Sequence, residues 1–443
     1  MTKRTLFGSS VLAAILLASP VLPIPAAQAY QTATAPTTST ASKSLSERLD
    51  AIEKAIAKQQ TALGVPGAAL VIVQGDKIIY LKGLGLRDVA GNKPVTPDTL
   101  FAIGSSSKSF TAASVLMSQD DGKLSLDDSP KKVLPYFKLQ DPEADKNITI
   151  RDLMSHGSGL PRTDLAWVSG VLTREEGIRL LADVKPTAPF RQKFQYQNLM
   201  FSAAGEIASR VQKMPYEAVI ETRIFQPLGM TNSNLRVKTM QKSKDFAIGY
   251  VPDSVNPGSQ PLPIRDIEAV APAGAINSSA RDMAQWLRFM LKGGVAPSGK
   301  RLLSEAGFQE MVKPQMTISP KVMDYGLGWF IRKWRGLSVL EHGGNIDGFN
   351  AQVALLPEKN LGFVLLTNVT GSPLAQGSLN IVWSNLVDVP ADLALPAAAT
   401  ADASPTVALK DEAGTYLLGT SRMVVALADN KLTLTVPGQP TYP

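Results

Sequence analysis

The run Gly104-Ser105-Ser106-Ser107-Lys108 heads a segment, Ser106 to Gln119, in which Phe110, Ala113 and Met117 recur at helical spacing, with Gly122 beyond it as a C-cap. On a helix, Ser105 and Lys108 share a face, three residues apart, with their side chains in mutual reach. A serine hydroxyl is a poor nucleophile at neutral pH and needs a neighbouring base. A lysine buried in a cleft loses part of its preference for the charged form and can help take that proton. The helix N-terminus adds free backbone N–H groups and a dipole that favour developing negative charge. Alone, the pattern is weak, because Ser-x-x-Lys is expected by chance about once or twice in a chain of this length. Ser129-Pro130-Lys131-Lys132 also matches, in a Pro-containing charged loop with no apolar helix behind it. An ordinary N-cap and a solvated lysine would give the same letters.

Around this segment lies a chain of 443 residues, 44% hydrophobic and 19% charged, as in ordinary globular proteins. At roughly 150 residues per domain, it has room for two to three. There is no cysteine, which excludes disulfides, Cys-ligated zinc, iron–sulfur clusters and thiol catalysis together. The only histidines, His156 and His342, exclude a histidine-rich metal centre. No metal and no cofactor are therefore expected. The formal net charge is +7, with Lys3 and Arg4 contributing two, and no basic run reaches five residues. Nucleic acid is not an expected partner.

At the start, Lys3 and Arg4 precede the apolar run Val11-Leu12-Ala13-Ala14-Ile15-Leu16-Leu17-Ala18. Pro20, Pro23 and Pro25 then interrupt it, and Ala27-Gln28-Ala29 supplies a small-x-small cleavage pattern. This is the three-part layout of a signal peptide over residues 1–29, too short and Pro-broken for a stable membrane anchor. The expected location is periplasmic or secreted, without a lipobox cysteine. Residues 30–45, rich in Thr, Ala and Ser, read as a flexible linker.

From Leu45 to Gln60 apolar residues return at helical spacing. Val65 to Val73 and Lys77 to Lys82 read as strands joined by Gln74-Gly75-Asp76. The middle, Ser125 to Leu235, holds short helical patterns broken by Pro and Gly. Strand-like runs come back at Leu337–Glu341, Ala351–Leu356 and Gly362–Asn368, and Leu374–Val387 reads as a closing helix. Strands at both ends enclosing a helical middle imply an α+β architecture, with two lobes sharing a cleft, over residues 46–388. Residues 389–406 form a second, Ala/Pro-rich linker. Residues 407–443 are β-rich, with strands expected at Gly414–Leu418, Met423–Leu427 and Lys431–Val436, and look like a truncated β domain.

Two more motifs raise the odds for Ser105 and Lys108. Tyr196-Gln197-Asn198 is the only Tyr-x-Asn in the chain and precedes a helical run, Ala203 to Val211. A tyrosine near a lysine can be held as phenolate and serve as general base, while an asparagine amide can orient substrate and lysine. His342-Gly343-Gly344 follows a strand, and its glycines would let a substrate approach the backbone closely. A packed tyrosine, a capping asparagine and a turn histidine are the plainer readings of the same residues.

In this order the three motifs resemble the serine β-lactamase and penicillin-binding protein superfamily, nearest its class C-like branch. That branch holds class C β-lactamases, family VIII carboxylesterases, D-aminopeptidases and D-Ala-D-Ala carboxypeptidases. Further strings carry the resemblance: Pro97-Asp98-Thr99-Leu100-Phe101, Leu153-Met154-Ser155-His156-Gly157-Ser158-Gly159-Leu160-Pro161, Pro227-Leu228-Gly229-Met230 and Tyr325-Gly326-Leu327-Gly328-Trp329. It implies a β-lactamase-like fold, an antiparallel sheet flanked by helices beside a mainly helical lobe. It implies Ser105 as acylated nucleophile, Lys108 as its proton partner, Tyr196 as general base, and Asn198, His342, Gly343 and Gly344 as substrate-binding residues. The backbone N–H groups of Ser105 and Asn345 would form the oxyanion hole, and His156 would be a structural turn residue. The substrate would be a small molecule or peptide: a carboxyl ester, a D-amino-acid amide or peptide, or a β-lactam. A catalytically silent cell-envelope binding protein would be marked by loss of Ser105, Lys108 or Tyr196, and all three are present. No Gly-x-Ser-x-Gly occurs, so an α/β-hydrolase elbow is not supported. The oligomeric state is open at this level.

Overall fold

The computed structural model describes residues 4–5, 43–164, 167, 170, 172–253, 256–388, 413–418, 421–428 and 431–435. Apart from Arg4, Thr5 and residues 43–45, the expected leader and first linker lie outside the described residues, as does the second linker, 389–406.

Helix α1 (Leu45–Ala62) starts at a capping box, in which Ser44 and Glu47 satisfy each other's backbone N–H groups. Strands β1 (Gly67–Gln74) and β2 (Lys77–Asp88) follow as a hairpin, with Gly75 at φ +60° in its turn, and β3 (Lys93–Pro94) continues from them. The next long helices are α2 (Ser107–Asp120), α3 (Asn198–Gln212) and α4 (Ala280–Leu291). A run of strands then completes the sheet: β4 (Met316–Ser319), β5 (Met323–Tyr325), β6 (Phe330–Trp334), β7 (Leu337–Ile346), β8 (Phe349–Leu356) and β9 (Leu361–Thr367). Helix α5 (Pro373–Leu386) closes the fold. The sheet order is β3-β2-β1-β9-β8-β7-β6-β5-β4, with every neighbouring pair antiparallel. The first and last strands of this sheet in chain order, β1 and β9, thus lie side by side in its interior.

Strands β1 and β9 are buried on both faces, and alternation sorts their side chains between two cores. Leu70, Ile72, Phe363 and Leu365 pack with Ile52 and Ile56 of α1 and Val382 and Trp383 of α5. Val71, Val73, Val364 and Leu366 face the helical lobe, where Phe110 of α2 stacks on Trp286 of α4 at 3.8 Å between ring centroids. This is the expected α+β, β-lactamase-like arrangement.

Three local differences from the sequence reading have physical causes. Helix α2 is buried from Ser107 to Ser118 rather than along one apolar face. Its hydroxyls tolerate burial because Ser109, Ser114 and Ser118 donate to the carbonyls of Ser106, Thr111 and Ser114. Strands β4–β6 were not anticipated: they are short, half-exposed and rich in polar residues, so neither apolar continuity nor alternation marks them. Strand β7 runs on through His342-Gly343-Gly344 instead of ending before it. At the C-terminus, Gly414–Leu418, Ser421–Ala428 and Lys431–Thr435 pair antiparallel in that order. Among the described residues, no helix is long and apolar enough to cross a membrane.

Candidate active site

Strand β7 pairs with β8 from Leu340 to Ile346 but with β6 only from Leu337 to Glu341. Beyond Glu341 one edge of β7 lacks a strand partner, and a 3₁₀ turn, Gly104–Ser106, packs there ahead of α2. Ser106 Oγ donates to the His342 carbonyl at 3.0 Å. Two glycines make this approach possible. Gly104 sits at φ +50°, and a Cβ on it would lie 2.8 Å from the Asn345 nitrogen. A Cβ on Gly344 would lie 1.8 Å from the Ile103 carbonyl oxygen and 3.1 Å from the Ser105 nitrogen. The Gly344 clearance thus admits the chain's own turn. The backbone of Gly344 and Asn345 is thereby set against that of Gly104 and Ser105.

Lys108, the second residue of α2, is 0% exposed. Its Nζ lies 3.1 Å from Ser105 Oγ and donates to the Ala273 carbonyl at 2.7 Å. It also stands 4.8 Å from the Tyr196 ring centroid and 5.4 Å from that of Phe201. Burial first, then the nearby Arg162 guanidinium, push the Lys108 ammonium well below its ordinary pKa, while Asp164 opposes them. Burial pushes the Tyr196 phenol above the usual 10, with the nearby Ser105 hydroxyl opposing the shift. Both shifts favour neutral forms. Burial thus works against both the ammonium and the phenolate.

Tyr196 is placed from below by His156. This residue ends the short helix Ile150–Ser155 in the left-handed region, φ +62°, and is fully buried. Its ring stacks on Tyr196 at 4.2 Å, and Nδ1 accepts the Gln197 N–H at 3.1 Å. Asn198, the first residue of α3, donates from Nδ2 to Asp164 Oδ1 at 2.7 Å.

His342 is only 2% exposed. Its Nε2 lies 3.0 Å from the Tyr325 hydroxyl and its Nδ1 2.6 Å from the Gly343 carbonyl oxygen. Since a carbonyl only accepts, Nδ1 carries the proton and Nε2 accepts from Tyr325. Burial, with Lys108 adding, pushes the imidazole down to about 3. Both ring nitrogens are committed within the protein, so the expected substrate contact has no free ring nitrogen to serve it. Asn345 uses its side chain to hold the following loop, accepting from the Gly371 N–H at 2.6 Å and from Thr370 Oγ1 at 3.0 Å. Among the described residues no group of three or more His, Asp or Glu could hold a metal ion.

The family model described as Beta-lactamase matches residues 52–382, which hold all of these residues. This chain belongs to the beta-lactamase family. It is 32% identical over 346 residues to an unguisins hydrolase of Aspergillus campestris, covering 74% of this chain and 63% of that protein. It is 29% identical over 318 residues to the protein flp of Staphylococcus aureus, covering 69% of this chain and 60% of that one. The match thus spans less than two thirds of either relative. Its structure is also similar to that of the octameric penicillin-binding protein homologue from Pyrococcus abyssi, with TM-score 0.68, 26% identity and 89% of each chain covered.

Three polar residues of this beta-lactamase-family site escaped the sequence reading. Arg162 and Asp164 follow directly on Leu160-Pro161, at the end of a string already singled out, and a charged pair there was the available signal. Tyr325 lay in plain view inside Tyr325-Gly326-Leu327-Gly328-Trp329, but nothing in the sequence tied it to His342. The Ala273 carbonyl that receives Lys108 carries no side-chain signal at all.

Proposed function

We propose that the protein is an exported serine hydrolase that forms an acyl-enzyme on Ser105 and cleaves carboxyl esters or D-amino-acid amides and peptides. The observation that carries this reading is Lys108: buried, 3.1 Å from Ser105 Oγ, and anchored on a carbonyl rather than a carboxylate. A carbonyl orients the amine without holding a charge on it, so Nζ can accept the Ser105 proton.

In the proposed reaction, the Ser105 hydroxyl gives its proton to Lys108 as Oγ bonds to the substrate carbonyl carbon. The developing oxyanion is stabilised by the backbone N–H groups of Ser105 and Asn345. Tyr196, whose ring centroid lies 4.8 Å from Lys108 Nζ, passes a proton to the leaving alkoxide or amine as the tetrahedral intermediate collapses, and Lys108 replenishes it. Water then attacks the acyl-enzyme by the same route in reverse, restoring the Ser105 hydroxyl. His342 and His156 position the machinery, one holding Tyr325 and the β7 edge, the other supporting Tyr196.

The choice among substrates follows from charge. With His342 neutral and Arg162 paired to Asp164, neither offers a fixed unpaired cation for the carboxylate of a penicillin or a C-terminal D-Ala. Neutral esters and amides need none. A β-lactamase or penicillin-binding activity is the second reading, favoured by the family and by the similarity to the Pyrococcus penicillin-binding protein homologue. The hydrolase name of the Aspergillus relative agrees with bond hydrolysis in either case.

A fluorophosphonate should add mass to the peptide containing Ser105. A panel of a short-chain nitrophenyl ester, a D-alanine anilide and a chromogenic cephalosporin, compared by kcat/KM, should rank the cephalosporin last. Efficient cephalosporin turnover with poor ester turnover would reverse the substrate assignment. Export, and a hydrolase domain over residues 46–388, belong to the same reading. Mature protein recovered from the producing cells should begin at Tyr30.

A further inference from the structure

Beside Tyr196 lies a patch of aromatic rings that the proposed reaction does not use. Phe194 precedes Tyr196 by two residues, and Phe330 opens β6 opposite Glu341, where the pairing of β6 with β7 ends. Four ring centroids form a closed circuit: Tyr196 to His342 at 6.3 Å, His342 to Phe330 at 5.1 Å, Phe330 to Phe194 at 6.1 Å and Phe194 to Tyr196 at 6.4 Å. The Tyr325 ring joins three of them, 5.3 Å from Phe194, 4.8 Å from Phe330 and 5.9 Å from His342. These are the separations of packed aromatic pairs.

Exposure sorts the rings. His156, Tyr325 and His342 are buried, whereas Phe194, Tyr196 and Phe330 each keep part of their surface open. Phe194 and Phe330 belong to neither apolar core of the fold and are not packed against either. A single exposed apolar side chain is common and needs no account. Two adjoining phenylalanines continuous with a reacting phenol are different, because apolar rings around a few polar groups are what line ligand sites. The charges close by are committed: Arg332, two residues along β6, is paired with Glu341 at 2.6 Å, and His342 is neutral.

The proposed chemistry says which half of the substrate meets these rings. As Ser105 Oγ bonds to the acyl carbon, the bond from that carbon to the departing oxygen or nitrogen breaks, and Tyr196 gives its proton to the departing atom. The leaving group therefore lies against Tyr196, with Phe194 and Phe330 next to it. We propose that Phe194 and Phe330 form a leaving-group subsite that takes an aryl or other apolar alcohol or amine and disfavours one bearing a carboxylate. A carboxylate there would give up water for ring faces, which carry the negative side of the quadrupole. The proposal rests on Ser105 and Tyr196 acting as described above, and deepens that reading by naming the departing half of the substrate.

The test holds the acyl group constant. Butyrate esters of methanol, of benzyl alcohol and of the glycolate hydroxyl are compared by kcat/KM, each divided by its rate of hydrolysis in hydroxide to remove intrinsic reactivity. All three give the same acyl-enzyme, so selectivity among them arises before deacylation. The benzyl ester should exceed the methyl ester by about tenfold, from partial burial of one ring, and the glycolate ester should fall below the methyl ester. Phe194→Ala and Phe330→Ala should each lower the benzyl-to-methyl ratio by about fivefold, and Phe330→Leu, which keeps apolar surface, should lower it less. Phe330→Arg should raise the glycolate ester relative to the methyl ester. Fluorophosphonate labelling of Ser105 reports the nucleophile and the fold separately, and absence of labelling in the unmodified protein would sink the Ser105 reading itself. With labelling intact, equal normalised values for the benzyl and methyl esters in the unmodified protein would overturn the proposal, whether or not the alanine variants fold. So would a benzyl-to-methyl ratio that neither alanine variant moves, since the open ring faces would then lie off the leaving group's path.

Discussion

Ser105 and Lys108 lie at the head of a helix buried from Ser107 to Ser118, whereas Ser129 and Lys132 carry the same Ser-x-x-Lys spacing on a solvent-facing turn. Ser129 caps the turn Pro130–Lys132, accepting the Lys131 N–H, and is engaged in local structure alone. Lys132 is 65% exposed and pairs with Asp128, four residues earlier, while Lys131 pairs with Asp145 at 2.6 Å. There the effect falls on the neighbour: the hydrogen bond from Lys132 is the largest cause holding the Asp128 carboxyl below its ordinary range. At the other copy the lysine itself is shifted, by burial. The spacing is thus neutral with respect to chemistry. What separates a base from a surface charge is the partner, a carbonyl at Lys108 and a carboxylate at Lys132, together with access to water.

The comparison breaks most visibly at the serines. Ser105→Ala should lower kcat/KM by several orders of magnitude on every substrate that is turned over, because nucleophile, amine and phenol act as one unit. Ser129→Ala should leave turnover within about twofold, as expected of a surface change away from the reacting groups. A Ser129 peptide that takes up the fluorophosphonate, or a Ser105→Ala variant that still turns over, would invert the assignment of the two segments.

The next effects lie at the proton carriers. Lys108→Ala and Tyr196→Phe should each cost on the order of 10²–10⁴ in kcat, the range of positioned acid–base groups. Tyr196→Phe keeps the stacked ring against His156 and removes only the hydroxyl. Its loss should therefore appear in kcat with an unchanged melting temperature. A wild-type rate for Tyr196→Phe would leave Lys108 to act alone and remove the relay.

How much of this was legible in the letters differs between fold and site. Strands β1, β2, β8 and β9 are marked by apolar runs and turn residues, and α2 and α3 by their punctuation. Those elements fix the sheet centre and the two helices that carry Lys108 and Asn198. The edge strands β4–β6 were not legible, because half-exposed strands of three to five residues carry no periodicity to read. At the site, Ser105, Lys108 and Tyr196 stood out by residue type and order. The state of their protons did not, since it depends on burial that only the packed lobe creates. His342 illustrates the gap: its place in the chain was readable, but its commitment to Tyr325 and Gly343 arises from the pleat of β7.

Burial of Lys108 also has a signature in stability. The unfolded chain holds its proton up to a pKa near 10.5, whereas the folded protein gives it up well below that value. Between the two values the unfolded state binds more protons, so this residue's contribution to stability rises with pH and levels off near the unfolded pKa. Urea unfolding of the unmodified protein should therefore gain on Lys108→Met as pH rises through the alkaline range, by up to about 1.4 kcal/mol per pH unit. A gain on lowering the pH instead would mean a charged Lys108 in the folded state and no free amine to receive the Ser105 proton.

The smallest effect belongs to the surface copy. Lys132 and Asp128 form an ion pair four residues apart, with the Lys132 side chain 65% exposed and that of Asp128 25% exposed. Such a pair gains little, because water screens the charges and two long side chains are ordered to make it. Lys132→Ala should lower stability by about 0.3–0.5 kcal/mol, and by less at high salt, where the Debye length shrinks. Turnover should stay within about twofold, the bound for a surface site remote from the chemistry. The salt dependence sharpens the contrast with Lys108, which is buried together with its carbonyl anchor at Ala273 and is not screened in this way. Urea unfolding of Lys132→Ala and Lys108→Met at low and high salt measures both at once. The Lys132 deficit should fade with salt, and the Lys108 difference should persist. A Lys132 effect of several kcal/mol, insensitive to salt, would show that the turn is buried against something the fold does not display, and the distinction between the two segments would need another basis.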